Sequence, residues 1–258
     1  MNEKEILERL KATKEYGTIS EDTLKRVIKY NLKEFDDPKV AFKEIKTELF
    51  DLHRSYVKMV DYKRASKQFK HAYKTKSELT IKLAHENLLK RYDGRRMKVI
   101  DKFYKEIFKI TGKPKSIIDL GCGMNPLTFP WMNLPKNTEY TAYDLDSEEI
   151  DFLNEYFKLA GTKQKAIQQD VISKPVTKKA DIAFLFKLIT CLEWQEPGSA
   201  KKLIDKLNVK YIVITMQVIG PGKIEENKKY LQKVLGTLPE DIISIDLKQE
   251  AVYIIKVK

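Results

Sequence analysis

The fold of this chain is decided by the stretch Ile117-Ile118-Asp119-Leu120-Gly121-Cys122-Gly123-Met124-Asn125-Pro126. An apolar strand ends in an aspartate, glycines then turn the backbone, and a helix is expected to follow. Glycine at such a turn lets the main chain approach a ligand without a Cβ in the way. The pyrophosphate-binding fingerprint Gly-x-Gly-x-x-Gly is absent, because the third position after Gly123 is Pro126.

A second acidic signal follows about 20 residues further on, where nucleotide-binding α/β folds place the side chain that holds the ribose hydroxyls. There the run Thr141-Ala142-Tyr143-Asp144-Leu145-Asp146 ends another apolar strand. An aspartate directly before the glycines suits a cofactor with a positively charged amino-acid end better than one with phosphates. The two motifs together predict the S-adenosylmethionine site of a class I methyltransferase.

From Ser116 onward the sequence alternates between strands and helices, which is typical of a parallel sheet. The last two strand candidates are separated only by Lys248-Gln249-Glu250, so we expect an antiparallel hairpin there. The predicted fold class is α/β, a class I (Rossmann-like) methyltransferase sheet of seven strands with a C-terminal antiparallel hairpin, preceded by an all-helical N-terminal domain. We expect a basic helical domain over 1–94 and a cofactor-binding domain over 95–258. The strand candidates cover residues 116–120, 139–144, 166–170, 181–186, 210–216, 242–247 and 251–257.

The N-terminal part of the chain shows helical patterns and no β-rich run. Ser20 and Ser77 are predicted N-caps, and Pro38 opens a helix between them. Residues 95–111 are predicted to form one helix. In the second half of the chain, Ser147 is the predicted cap of the helix that follows the second strand.

Positive charge is concentrated in one segment. The chain carries a net charge of +12, and residues 54–98 hold 14 lysines and arginines against four acids. With aromatic residues interleaved, such a block indicates a polyanionic partner and favours nucleic acid, although an anionic membrane surface would attract it too. No strongly amphipathic membrane helix stands out. The predicted RNA-binding residues are Lys63, Arg64, Lys67, Lys70, Arg95 and Arg96.

Composition argues against several other classes of protein. The two cysteines, Cys122 and Cys191, make neither a disulfide framework nor a zinc site, and we predict no metal. No apolar run approaches the ~20 residues that span a bilayer, and the first residues do not resemble a signal peptide. We therefore expect a soluble cytoplasmic protein with no membrane contact and no obligate protein partner.

Open α/β sheets bind ligands beyond the carboxyl ends of their strands, and several residues of this chain fall there. Phe186-Lys187-Leu188 closes the fourth strand, where the transferable methyl group and its acceptor should meet. The predicted catalytic residues are Phe186, Lys187 and Glu193. For Lys187, binding a phosphate or a helix end is an equally good alternative to contact with the target base. For Glu193, the alternative is to cap a local helix. Gln169-Asp170 closes the third strand, where an acidic or amide side chain can take the adenine amino group. The predicted cofactor-binding residues are Asp119, Gly121, Cys122, Gly123, Asn125, Asp144, Leu145, Gln169, Asp170 and Phe186.

These motifs resemble those of the aminoglycoside-resistance 16S rRNA (guanine-N7) methyltransferases, a class I family that depends on S-adenosylmethionine. The resemblance implies a basic helical domain that docks on ribosomal RNA or on the small ribosomal subunit, and a C-terminal domain that delivers the methyl group. It extends into the helical N-terminal segment, with Thr18 to Val27 and with Asp101, Phe103 and Tyr104. It is carried by Asp119-Leu120-Gly121-Cys122-Gly123-Met124-Asn125-Pro126-Leu127, Ala142-Tyr143-Asp144-Leu145-Asp146, Phe184-Leu185-Phe186-Lys187, Cys191-Leu192-Glu193 and Glu225-Glu226-Asn227.

The resemblance also implies a target, N7 of a guanine at the decoding site. N7 has an in-plane lone pair and no proton at neutral pH, so catalysis needs alignment and exclusion of water rather than a general base. Because the major groove of an RNA helix is deep and narrow, we expect the base to be flipped out. Candidates to stack on it or read its edge are Phe186, Trp194, Trp131 (favoured as a core residue), Lys187, Glu193 and Gln217.

One loop departs from the family pattern. After the fifth strand the family has a longer loop, whereas this chain has Thr215-Met216-Gln217-Val218-Ile219-Gly220-Pro221-Gly222-Lys223. Because that loop should lie near the target base, another rRNA nucleotide or a tRNA nucleotide stays open as the target, and so does a role in antibiotic resistance. If the protein methylated a small molecule, the basic domain would have no evident role. If it were a non-catalytic RNA-binding protein on this scaffold, there would be no reason for Asp119, Gly121, Gly123 and Asp144 to be intact.

Overall fold

The structure is a computed structural model that describes residues 1–56, 60–218, 223–236, 242–247 and 250–257, without the side chains of 53–56. Some features of the sequence predictions lie outside the described residues. These are the side chain of Arg54, residue Lys58, part of the shortened loop (219–222) and the hairpin turn at 248–249.

Six helices precede the sheet in the described part of the chain, and three of them start where the sequence predicted. The Oγ of Ser20 accepts a hydrogen bond from the backbone N–H of Thr23, and Ser77 does the same for Thr80. Pro38 is the first residue of its helix, as predicted. The six are α1 Glu3–Lys11, α2 Glu21–Glu34, α3 Pro38–Tyr56, α4 Tyr62–Thr75, α5 Glu78–Met97 and α6 Ile100–Thr111.

Helix α5 is interrupted at Asp93, whose φ of −143° and ψ of 64° are not helical. The helical path resumes after the break and ends at Met97, and α6 begins at Ile100. The prediction of one helix over 95–111 is therefore wrong. The backbone N–H groups of Lys98 and Val99 bond three residues back, which closes a turn and separates the two helices.

The sheet confirms the predicted fold class. Strands β1 to β5 run parallel, and β7 is antiparallel to both β5 and β6. The strand order is β3-β2-β1-β4-β5-β7-β6, so the order reverses between β1 and β4. The strands are β1 Ser116–Leu120, β2 Glu139–Asp144, β3 Lys165–Gln168, β4 Ala180–Phe186, β5 Val209–Gln217, β6 Ile243–Asp246 and β7 Glu250–Lys256.

Helices cover both faces of the sheet, which explains why its central strands are almost continuously apolar. Successive residues of one strand enter opposite cores: Ile117 lies in the core that contains α4 to α6, and Ile118 lies in the core on the other face. The helices that follow β1 are α7 Phe129–Met132, α8 Ser147–Ala160, α9 Ile189–Gln195, α10 Ser199–Ile204 and α11 Lys223–Leu235.

The N-cap of α8 differs from the prediction. Asp146 is the cap, because its Oδ1 accepts a hydrogen bond from the backbone N–H of Glu149, and Ser147 is the first residue of the helix. Aspartate and serine are comparable caps, so the sequence alone did not distinguish them. Gly161 ends the helix in the left-handed conformation, as predicted.

The N-terminal helices divide into two groups. Helices α1 to α3 have a core of their own, whereas α4 and α5 pack into the core beneath the sheet. The predicted domain boundary at residue 94 falls inside α5. The α1–α2 connection is anchored at the carboxyl end of β2, where Ser20 N–H donates to the Leu145 carbonyl and Thr18 Oγ1 donates to Asp146 Oδ2 at 2.6 Å.

Within the described residues, none of the helices combines the length and the apolar character that crossing a membrane requires.

Candidate active site

The turn after β1 requires its two glycines. Gly121 and Gly123 have φ values of 60° and 47°, a region that favours glycine. A Cβ on Gly123 would lie 2.1 Å from the Tyr92 hydroxyl, and one on Gly121 would lie 2.7 Å from a methyl carbon of Leu188. The turn therefore has bare main chain facing α5 on one side and the end of β4 on the other.

Asp144 is held against this turn. Its two carboxylate oxygens accept hydrogen bonds from the backbone N–H groups of Gly123 (2.9 Å) and Leu145 (2.7 Å). The N–H of Cys122 also donates to the Tyr143 carbonyl, so the turn and the end of β2 form one unit. Burial raises the pKa of the Asp144 carboxyl, and it raises that of the Cys122 thiol well above its usual range. Cys122 is therefore an uncharged thiol, which fits a small packing residue rather than a nucleophile.

Asp119 lies beneath the turn with one oxygen unused. Its Oδ2 accepts hydrogen bonds from the Tyr140 hydroxyl (2.5 Å) and from Asn125 Nδ2 (2.9 Å), and its buried Oδ1 has no hydrogen-bond partner. Burial raises the pKa of Asp119 to about 7, although both hydrogen bonds and the charge of Arg96 act in the other direction. A cationic donor at Oδ1 would satisfy this carboxyl and lower its pKa.

A first cavity of about 450 Å³ opens above Asp144. Its lining brings together six of the predicted cofactor-binding positions, at the ends of β1, β2 and β3, and a seventh, Phe186, at the end of β4. Ile19, Asp51 and Leu52 line it as well, which places part of the α1–α3 unit over the site. Sequence analysis missed this wall, because only tertiary packing brings it to the sheet. The six are Gly121, Gly123, Asp144, Leu145, Gln169 and Asp170.

The Asp170 side chain is already engaged in this cavity. Its Oδ2 accepts from Arg26 Nε of α2 at 2.9 Å, and its Oδ1 accepts from the backbone N–H of Ile172 at 2.9 Å. The amide of Gln169 donates to the Lys174 carbonyl at 2.7 Å. Both side chains therefore shape the loop after β3 and tie it to the N-terminal helices. A contact of either with an adenine stays a prediction.

A second cavity of about 880 Å³ lies on the other side of the glycine turn. Its walls include Cys122 and Asn125 from the turn, together with Met216, Gln217 and Asn227 near the end of β5 and in α11. Both cavities share the residues at their junction, namely Tyr92, Gly121, Phe186, Lys187 and Thr190. A ligand in the first cavity and a different ligand in the second would therefore both border on Phe186 and Lys187.

Lys187 has an unusual backbone at this junction. Its φ is 58°, and its backbone N–H donates to the Thr215 carbonyl of β5 at 3.0 Å. Its ammonium forms an ion pair with Asp93 at 2.5 Å. Phe186 stacks on Phe184 with 4.6 Å between ring centroids, and the guanidinium of Arg96 lies 4.7 Å from its ring centroid.

Arg96 does not fit its predicted role as a phosphate-binding residue. Its side chain is 7% exposed, pairs with Glu250 through two nitrogens, and donates to Asn125 Oδ1 at 3.1 Å. A guanidinium that is buried and paired in this way has no free face for an RNA backbone. Asn125 in turn joins Arg96 to Asp119, so this predicted cofactor residue positions its neighbours from the wall of the second cavity.

The other predicted RNA-binding residues lie at the surface. Lys63, Arg64, Lys67 and Lys70 are exposed on α4, and Arg95 is exposed just after the break in α5. Lys70 also pairs with Glu155 of α8 at 2.6 Å, but its side chain stays 57% exposed.

Glu193 caps a helix instead of facing a base. Its two carboxylate oxygens accept from the backbone N–H groups of Gly198 (2.8 Å) and Ala200 (2.9 Å) at the start of α10, and it lines neither cavity. The catalytic prediction for Glu193 is therefore not supported. Trp131 is half-buried against the core beside His85, as favoured, whereas Trp194 is 54% exposed at the edge of the first cavity.

The described residues fit S-adenosylmethionine. The glycine turn leaves room that a Cβ would fill, Asp144 lies where ribose hydroxyls are held in such folds, and Asp119 Oδ1 is a buried acceptor that lacks a donor. The cofactor carries a donor of each required kind, in its hydroxyls and its ammonium group.

Comparison with known proteins supports this chemistry. The model of the ribosomal RNA methyltransferase (FmrO) family matches residues 12–223. A 16S rRNA (guanine(1405)-N(7))-methyltransferase of Micromonospora rosea is 30% identical over 190 residues, which cover 68% of this chain and 69% of that protein. An enzyme of the same name from Proteus mirabilis is 27% identical over 261 residues, which cover 95% and 90% of the two chains.

Solved structures share the fold along the whole chain. The 16S rRNA methyltransferase RmtF in complex with S-adenosyl-L-homocysteine superposes with a TM-score of 0.85 at 21% identity, with 100% of both chains covered. The 16S rRNA methylase RmtB gives a TM-score of 0.82 at 22% identity, with 100% of this chain and 99% of that chain covered.

Proposed function

Because this chain belongs to the ribosomal RNA methyltransferase (FmrO) family, we propose that it methylates N7 of a decoding-site guanine in 16S-type rRNA, with S-adenosylmethionine as the methyl donor. One observation carries the proposal: the cavity beside Asp144 and the larger cavity beside Gln217 share Phe186 and Lys187 in their walls. A methyl donor in the first cavity and a purine in the second have a common border there.

The proposed reaction requires no proton transfer by the protein. When bound, the cofactor would supply a sulfonium methyl group: the N7 lone pair would form the new N–C bond as the C–S bond broke, which would leave a neutral thioether and a cationic guanine. The chain's own residues align the two reactants and exclude water. The described site fits this task, since Lys187 at the junction is paired with Asp93, and burial raises the pKa of the Tyr92 phenol well above its usual range.

Each part of the site has a separate role in the proposal. The main chain of Gly121 and Gly123 would make room for the cofactor, and Asp144 would accept from its ribose. Asp119, which lies beneath the turn and lines neither cavity, would offer Oδ1 to its ammonium group. Phe186 provides an aromatic surface at the junction, and Lys187 holds the adjoining break in α5 through Asp93.

The exposed basic residues of α4, together with Arg95, bind the RNA backbone in this proposal. Phosphate contacts position an RNA without reading its sequence, so docking depends on salt and on the shape of the small subunit. The substrate is then the small ribosomal subunit or its RNA, and the enzyme acts in the cytoplasm. Methylation at the decoding site would protect the ribosome from aminoglycosides.

The experiment is to incubate the purified protein with methyl-labelled S-adenosylmethionine and, separately, 30S subunits, naked 16S rRNA and tRNA. We expect label in 30S subunits at a single guanine, located by reduction and aniline cleavage, a treatment specific for N7-methylguanine. Asp144→Ala is the matched control and should give no label. Label at another nucleotide or on tRNA would replace the proposed target, and no label on any RNA despite cofactor binding would refute the proposal.

A further inference from the structure

Glu149 is a buried acid in the cofactor cavity that the proposed reaction does not use. It lies in the first turn of α8, is 2% exposed, and lines the first cavity. Its Oε2 accepts a hydrogen bond from the Tyr62 hydroxyl at 3.2 Å, and its Oε1 has no hydrogen-bond partner. A buried carboxylate with an unused oxygen is costly, whereas a protonated carboxyl has a donor of its own at that position.

The neighbours of Glu149 favour the protonated form. A carboxyl oxygen of Glu149, a carboxylate oxygen of Asp144 and the Cys122 sulfur all lie within 4.8 Å of one another. The strongest influences on the two carboxyl groups are burial, hydrogen bonds and neighbouring acids, rather than a lysine or an arginine. Burial, followed by the negative charges of Asp144 and Asp146, raises the pKa of Glu149 well above its usual range.

The carboxylate of Asp144 accepts hydrogen bonds from two backbone N–H groups and also lies close to the carboxyl group of Glu149. Backbone N–H groups of Gly123 and Leu145 hold one oxygen each. We propose that Glu149 is a positioning residue of the cofactor site, whose protonated carboxyl supports the Asp144 carboxylate and joins it to helix α4 through Tyr62. This inference rests on the proposed role of Asp144 in binding the cofactor.

The link reaches the surface that the proposal assigns to RNA. Tyr62 is the first residue of α4, directly before the exposed Lys63 and Arg64. The Tyr62 ring packs against Phe152 of α8 with 5.8 Å between centroids, so its hydroxyl is held at Glu149 by the packing of the two helices. A single chain of contacts thus connects the basic helix, Glu149 and the ribose-binding acid.

Ionisation of Glu149 would change the electrostatics of this site. If Glu149 lost its proton, two carboxylate groups would stand within 4.8 Å of each other and repel. The phenols and the thiol that face it stay neutral, because burial raises the pKa of each. The titratable groups around it are Asp144 and Asp146 at the end of β2, Tyr62 of α4, Tyr92 of α5 and Cys122 of the glycine turn.

The test is the pH dependence of S-adenosyl-L-homocysteine binding, measured by calorimetry from neutral to alkaline pH. Above the pH at which Glu149 ionises, we expect the wild-type affinity to fall by about tenfold per pH unit relative to that of Glu149→Gln. The variant should not show this fall, because its amide is a neutral donor that does not ionise. Tyr62→Phe keeps the ring but removes the hydroxyl that stabilises the charged form, so its fall should move to higher pH. Asp151→Asn removes an exposed acid of the same helix and should keep the wild-type profile.

Two outcomes would overturn the inference. One is an identical pH profile for the wild type and Glu149→Gln. The other is a loss of affinity in Glu149→Gln at every pH with an unchanged melting temperature, which would mean that Glu149 acts as an anion. If Glu149→Gln does not fold, Tyr62→Phe decides, and an unshifted profile refutes the link. The proposed function fails differently, through normal cofactor binding without methylated rRNA.

Discussion

The ammonium nitrogen of Lys187 lies 2.5 Å from Oδ2 of Asp93, so the residue after β4 is tied to the residue at which α5 breaks. Both groups lie at the junction of the two cavities or beside it. Arg96 and Lys187 lower the pKa of Asp93 even though its burial opposes them. The Asp93 carboxyl is therefore ionised at neutral pH, and its ion pair with Lys187 fixes how α5 approaches the junction of the two cavities.

We expect Lys187→Met to lower the rate of methyl transfer by about 10- to 100-fold, because the approach of α5 to the junction is then no longer fixed. Binding of S-adenosyl-L-homocysteine should change little. Asp93→Asn should have a similar effect, and the double variant should lose no more than the more damaging single variant, since both changes remove one interaction. Single-turnover rates on 30S subunits measure this, and additive losses would show that the two residues act separately.

The bare main chain of the glycine turn gives a second prediction. Gly123→Ala places a methyl group against the Tyr92 hydroxyl in a backbone region that disfavours side chains, so the turn and Tyr92 must both move. We expect S-adenosyl-L-homocysteine to bind about 10-fold more weakly or worse, in line with ~1–3 kcal/mol for overpacking. Calorimetric titration measures the affinity.

Gly161→Ala is the matched control for that variant. Gly161 has a similar φ of 65°, but nothing lies within 4 Å of the added Cβ. The Gly161→Ala variant should have a free energy of unfolding that is lower by about 1 kcal/mol, because the alanine backbone is strained, and its cofactor affinity should not change. Equal losses of affinity in both variants would mean that strain alone, and not the close approach of Tyr92, accounts for the effect.

Local sequence patterns predicted the strands well, but they did not predict contacts between residues that are far apart in the sequence. The bounds of β1 and β2 agree with the prediction at every residue, because an apolar run between turn signals is a local pattern. The buried pair of Arg96 and Glu250 spans 154 residues, and nothing local marks it. A charge-based reading therefore placed Arg96 on the RNA surface, although the fold encloses it.

The wall that α1 to α3 add to the cofactor cavity was unpredictable for a similar reason. Arg26 reaches Asp170 across 144 residues, and it occupies the carboxylate that sequence reasoning assigned to adenine. For Glu193 the sequence suggested the right role but could not choose it. Capping of a local helix was an open alternative to catalysis, and only the distances to Gly198 and Ala200 distinguish the two roles.

The basic face of α4 gives a third prediction. We expect Lys67→Glu combined with Lys70→Glu to weaken 30S binding by about 10-fold or more and to lower the slope of log affinity against log salt by about 2, because two phosphate contacts are lost. Cofactor affinity should stay the same, since neither residue lines a cavity. Lys201→Glu combined with Lys202→Glu makes the same charge change on α10. If that control weakens 30S binding equally, the overall positive charge of the protein, and not a specific surface on α4, accounts for RNA binding.

The raised pKa of Asp119 gives a fourth prediction, in which stability and cofactor binding change in opposite directions. Its folded pKa of about 7 exceeds the ordinary value of 3.8, so the stability it contributes is complete below about pH 4 and is lost as pH rises through 7. Asp119→Asn keeps the shape without the charge. We therefore expect this variant, free of cofactor, to melt at a higher temperature than the wild type at pH 8, by about 2–4 °C for each kcal/mol of cost removed.

The same substitution should weaken S-adenosyl-L-homocysteine binding, because the amide cannot offer a charged acceptor at Oδ1 to the cofactor's ammonium group. Asp181→Asn is the control of opposite sign: hydrogen bonds and the charge of Lys210 lower the pKa of Asp181, so its removal should lower the melting temperature at pH 8. Thermal melts with and without the cofactor product measure both effects. If Asp119→Asn melts lower than the wild type without cofactor, Asp119 serves the fold as a paired anion, and its unused oxygen is not kept for the cofactor.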